Sequence, residues 1–173
     1  MDSSERLLRS INVTPATLDD EPIVANLLEL YMHDFCEILE GELGDNGRFG
    51  YKNLPLYWSE EGRHPFLIRV DGKLAGFALV KAGSEISENS AVWDMAEFFI
   101  VRGYRRQGVG SAAASEVLDR FPGRWEVRVM DVNYLAQRFW ERAISDFVGK
   151  TVRPKEIEKG GQVWHVFGFE SAP

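Results

Sequence analysis

The sequence has one cysteine in 173 residues, Cys36, so no internal disulfide can form. Its place in an apolar periodic stretch reads as a small core residue rather than a nucleophile. The three histidines, His33, His64 and His165, stand far apart with no cysteine partners at ligand spacing, so no metal is expected and His33 and His165 read as structural. Long apolar runs are missing too: none approaches the roughly 20 residues a membrane-spanning helix needs. The opening residues, Met1 to Glu5, carry neither the basic nor the apolar region of a secretion signal, and a cytoplasmic location is the expectation. No basic, aromatic-interleaved stretch occurs outside one short loop, and the net charge of -7 argues against a nucleic-acid partner while favouring cationic small substrates. What is present, 45% apolar and 27% charged residues, is ordinary globular composition, and the length suits one domain over 1–173.

Periodicity divides the chain into short elements. Residues 9–15 read as a strand. Thr17 or Asp19 then caps a long amphipathic helix marked by Ile23, Leu27, Leu30, Tyr31, Phe35 and Ile38. Four glycines between 41 and 50 predict a mobile loop, and a short helix follows over 56–61. Residues 65–70 and 74–82 are strand-like around the Asp71-Gly72 turn, and 91–101 is a third strand, antiparallel to the second. A glycine-containing loop leads into a helix that Pro122 and Gly123 stop near Phe121. A strand over 125–130 precedes a helix capped by Asn133 or Asp131, with Ala136, Phe139, Trp140, Ala143 and Phe147 on one face. Two strands, near 151–156 and 162–169, close the chain around Gly160-Gly161. The order is mixed α/β (α+β) on a largely antiparallel sheet with one strand-helix-strand unit in its middle. Its exposed last strands offer an edge at which a homodimer could form.

The chemistry is concentrated in Arg105, Arg106, Gln107, Gly108, Val109, Gly110 and Ser111, between a strand and a helix. Glycines let the backbone approach a ligand closely, and the helix start presents unpaired N–H groups and the positive end of the macrodipole. Such a segment can cradle a pyrophosphate, with the two arginines adding mobile positive charge. The plain alternative is a turn with solvated arginines.

This segment resembles motif A of the GNAT superfamily of acyl-CoA N-acyltransferases, Gln/Arg-x-x-Gly-x-Gly/Ala, met by Arg105, Gly108 and Gly110. The element order over the whole chain resembles that family as well. The resemblance implies a largely antiparallel sheet of six to seven strands flanked by about four helices, with the fourth strand splayed from the fifth. It implies acetyl-CoA as co-substrate, Phe98, Phe99 and Ile100 as pantetheine and acetyl contacts, and 105–111 around the diphosphate. Asn133, Phe139 and Trp140 fall on a segment similar to the family's Asn-x-x-Ala-x-x-Leu/Phe-Tyr motif, in which Asn contacts the arm and Tyr protonates the departing thiolate. Here Trp140 stands at the Tyr position. An indole N–H donates a hydrogen bond but no proton at useful pKa, so Tyr134, another tyrosine or water must serve, and Trp140 reads as a core aromatic lining the crevice.

A protonated amine does not attack a thioester, so a base is needed near the splayed strands, and Glu97 and Asp94 are the candidates. Period 2 puts them on opposite faces of an ideal strand, unless a β-bulge beside Phe98 changes the facing of Glu97. Either could instead be paired with a nearby arginine. The acidic set Glu37, Glu40, Glu42 and Asp45 reads first as a solvated face and second as an attractor of amines. The expected reaction is direct acetyl transfer to a primary amine of a small molecule or peptide, since no activated nucleophile is visible. Two other readings compete. One is dinucleotide binding, because Gly108 to Ala113 also fits Gly-x-Gly-x-x-Ala, although the loop 102–107 intrudes between strand and glycines. The other is a non-enzymatic CoA-binding sensor on the same fold.

Overall fold

The computed structural model describes residues 9–172. Seven strands form one sheet: β1 Ile11–Pro15, β2 Arg63–Val70, β3 Lys73–Ala82, β4 Trp93–Ile100, β5 Gly123–Met130, β6 Lys155–Lys159 and β7 Gln162–Ser171, in the order β1-β2-β3-β4-β5-β7-β6. Four helices, α1 Glu21–Phe35, α2 Leu56–Ser59, α3 Val109–Asp119 and α4 Tyr134–Val148, cover its two faces. Every strand pair is antiparallel except β4 with β5, whose parallel link is the strand-helix-strand unit read from sequence.

Alternation within the strands sorts side chains into two cores. On one face Ile68, Val80, Trp125 and Val127 pack with Ala114, Val117 and Leu118 of α3 and Ile144 of α4. On the other, Phe77, Leu79 and Phe99 meet Val24, Leu27 and Leu28 of α1 and Tyr57 of α2. Local signals set the joints. The β2–β3 turn places Asp71 at φ 49° and Gly72 at φ 78°, the left-handed pair such a tight hairpin requires. Asn133 caps α4 by accepting from the amide of Ala136 at 3.2 Å.

Three expectations need correction. The periodic pattern carries α1 to Ile38, but the helix stops at Phe35, so Cys36 is exposed and not in the core. Thr17 caps a single 3-10 turn, Leu18–Asp20, and Asp20 caps α1 itself. The sixth strand starts at Lys155, after Pro154, which has no N–H to give to a ladder, so most of the expected 151–156 stretch is irregular. No helix among the described residues is long and apolar enough to cross a membrane.

Candidate active site

The parallel strands part almost as soon as they meet. β4 and β5 are paired only at Trp93 with Trp125 and Asp94 with Glu126; from Met95 onward β4 has no partner on that side. A cavity of about 330 Å³ occupies the opening. Its wall includes Glu97 and Arg128 from one face of the sheet and Phe98, Val129, Asn133 and Trp140 from the other, so it passes between the strands.

The two candidate bases do not lie on opposite faces. The β3–β4 register runs Leu79 to Glu97 and then Val80 to Met95, leaving Ala96 as an extra residue. This bulge puts Asp94 and Glu97 together on the α1 side. Their surroundings differ. Asp94, 2% exposed, lies under the cavity with Arg128 at 3.3 Å and Lys81 at 3.9 Å. Burial raises its pKa, against the opposing pull of those two cations. Glu97 lines the cavity and accepts hydrogen bonds from the hydroxyls of Tyr31, on α1, and Tyr51, at 2.9 Å, just after the glycine-rich loop. Burial raises its pKa above the ordinary glutamate value, while the two hydroxyls and Arg128 pull it down and Asp94 pushes it up. Burial and the Glu97 charge in turn hold both tyrosines well above their ordinary pKa, so they remain protonated donors.

The loop expected to hold a diphosphate turns sharply into α3. Arg106 at φ 60° and Gly108 at φ 80° turn the chain into α3, and the amides of 106–111 have no acceptor among the described residues. Six amides at a helix start are thus left without an internal acceptor, the kind of group that anion sites at helix N-termini use. Val109 is buried and Ser111 follows in the first turn of α3. Gly110 has a packing reason as well: an added Cβ would lie 3.0 Å from the ring of Phe139. Arg106 is exposed and makes no ion pair among the described residues. Arg105 departs from the expected mobile cation: its Nε donates to the carbonyl of Ile100 at 2.6 Å, another nitrogen binds Asp34, and its guanidinium stacks on Phe99. Gln107 binds the carbonyl of Gly103 and takes a hydrogen bond from Arg9.

The aromatic residues sort by face. Phe98 stacks on Phe139 at 5.7 Å and meets Trp140 edge-on at 5.2 Å, filling the space between β4 and α4. Phe99 points the other way, toward Tyr31 and Phe77, and Ile100 packs near Gly110. Trp140 is 6% exposed and belongs to the cavity wall, where it stands beside Asn133 and Ala136. Sequence reasoning missed Tyr31, Tyr51, Arg128, Phe49 and Trp164. Tyr31 was indistinguishable from a core position in the helical pattern, and no spacing links a residue after a loop to one on a distant strand.

Comparisons with known proteins agree with this geometry. A model of the acetyltransferase (GNAT) family matches residues 25–144, and the chain therefore belongs to that family. An acetyltransferase from Thermus thermophilus shares the fold at TM-score 0.68 and 17% identity, covering 93% of this chain and 97% of its own. The aminoglycoside acetyltransferase AAC(6')-Ib, solved with coenzyme A and kanamycin, matches at TM-score 0.67 and 13% identity over 93% and 95%. Arabidopsis thaliana NAA60, solved with acetyl-CoA, matches at TM-score 0.60 and 18% identity over 93% and 98%. Comparison with curated proteins gives no match.

Proposed function

We propose that this acetyltransferase moves the acetyl group of acetyl-CoA directly to a primary amine of a small molecule or peptide within a ternary complex. The observation that carries the reading is Glu97, a half-buried carboxylate held by two tyrosine hydroxyls in the wall of a cavity that passes through the sheet. The amides of 106–111 lie on the α3–α4 side and suit a diphosphate, so CoA would enter there and present its thioester at the gap. The backbone of 98–100, unpaired toward β5, would orient the carbonyl. The acceptor would come from the α1 side. Structures of family members with coenzyme A and kanamycin, and of Arabidopsis thaliana NAA60 with a bisubstrate analogue, support two ligands meeting in one site.

Glu97 is the better base of the two candidates, because it reaches the cavity while Asp94 is paired beneath it. It would take the proton of the ammonium directly or through water. The nitrogen lone pair then attacks the carbonyl carbon, the C–S bond breaks with its electrons leaving on sulfur, and the nitrogen's second proton passes through water to that thiolate, leaving the neutral amide and the CoA thiol. Tyr31 and Tyr51 are poor acids with their pKa raised, and Trp140 supplies only a hydrogen bond. A thiolate of ordinary basicity, conjugate pKa about 8.5 for a cysteine thiol, can take its proton from water.

Calorimetric titration with acetyl-CoA, CoA and NADH tests the binding half. Micromolar binding of the CoA species alone is expected, weakened about tenfold or more in Gly108→Asp, which sets a negative charge at the helix start. Binding of NADH, or of nothing, overturns the proposal.

A further inference from the structure

The acceptor half of the cavity has a chemistry of its own. On the α1 side its wall is built by Phe35, Leu39, Phe49, Met130 and Trp164, of which Leu39 is exposed at 39%. At its inner end stands the carboxylate of Glu97. The other acids of this region are engaged elsewhere. Asp34 pairs with Arg102 and Arg105, Glu37 with Arg102, and Glu29 accepts from the amides of Phe49 and Gly50 at 2.7 and 2.9 Å. Asp94 holds Arg128. Glu40 lines the mouth without a partner among the described residues, and Glu42 and Asp45 of the following loop do not line the cavity. Opposite Glu97, the guanidinium of Arg128 lies 5.3 Å from the ring centre of Trp164 and places positive charge on the cavity wall.

We infer that the preferred acceptor is a small primary amine with one charge and an apolar, ring-sized body, of the arylalkylamine type, seated between Phe35, Phe49 and Trp164 with its nitrogen at Glu97. The inference rests on the acetyl transfer proposed above. One ammonium finds the carboxylate of Glu97 at the inner end, and the other free carboxylate, Glu40, stands exposed at the open mouth. A second ammonium held short of the mouth would lie among phenyl and indole rings or beside Arg128 without a counter-charge, which is costly in an apolar enclosure. A carboxylate on the amine would face Glu97 itself, and Arg128 is already held by Asp94. At about 330 Å³, part of it on the thioester side of the gap, the cavity is at the small end for ligand sites and seats a body of about one ring at its inner end.

The test measures thiol release from acetyl-CoA with 2-phenylethylamine, spermidine and phenylalanine, in the native protein and in Phe49→Glu. Phe49 sits in a loop, so the substitution leaves the sheet intact. The native protein is expected to favour 2-phenylethylamine in kcat/KM by at least about tenfold, the scale on which apolar pockets discriminate. Phe49→Glu should cut that preference about tenfold and improve spermidine, with CoA affinity unchanged. Equal or better turnover of spermidine or phenylalanine overturns the inference and leaves the reaction standing, since thiol is released. An unchanged preference in Phe49→Glu also overturns it. No thiol release with any amine removes the reaction and the inference together.

Discussion

Glu97 and Asp94 carry the same charge on the same face of β4, yet their neighbours divide their roles. Asp94 is bound to cations and closed from the cavity; Glu97 is bound to neutral hydroxyls and open to it. A base must be deprotonated to act, so the rate is expected to fall as pH drops through the raised pKa of Glu97, above the ordinary glutamate value. Tyr51→Phe removes one of the two donors that pull this pKa down, so the acid limb of the pH–kcat profile should move to higher pH. A limb that stays in place would separate Tyr51 from the base. Rescue of activity at higher pH in Tyr51→Phe is the accompanying sign, because a purely structural loss would lower the rate at every pH.

Among the elements, β4 is the one whose sequence could be read as a strand but not for the detail that matters. Its aromatic and β-branched content marked it, and a bulge that turns Glu97 was open as an alternative; that it falls at Ala96 did not show, because the register shift depends on how β3 presents its side of the ladder. The early end of α1 was equally hidden: Cys36 and Ile38 continue the helical spacing, and only packing decides that the chain leaves the sheet after Phe35. The motif 105–111 was legible because backbone conformation there is restricted to residue types that tolerate it, with Gly108 at φ 80°. The partner of Arg105 was not, since Asp34 lies 71 residues away on α1. Gly76, on β3, carries the close approach to β4: a Cβ there would stand 2.0 Å from the carbonyl oxygen of Phe99. Gly76→Ala is expected to lower stability by about 2 kcal/mol or more in denaturant unfolding. An unchanged midpoint would show that β3 and β4 are not in this register.

For the molecule as a whole, the opening between β4 and β5 joins two faces that otherwise have separate cores. A ligand that lies in the opening and touches both faces should stabilise the folded state by mass action. CoA at about 100 times its dissociation constant adds roughly 2.7 kcal/mol. For a chain of this length that is about 2–4 °C in melting temperature per kcal/mol. The shift is expected in thermal melts of the native protein and, at the same CoA concentration, cut to about half or less in Gly108→Asp. Stabilisation of both alike would place the ligand elsewhere.

Whether Glu97 removes the proton of the attacking amine is decided by the pH dependence of thiol release in native protein and Glu97→Gln, at saturating acetyl-CoA and amine. The native kcat is expected to rise through a value above the ordinary glutamate pKa. In Glu97→Gln the rate should be lower by about 10²- to 10⁴-fold and that rise should be missing. Equal rates with the same profile would rule Glu97 out as the base.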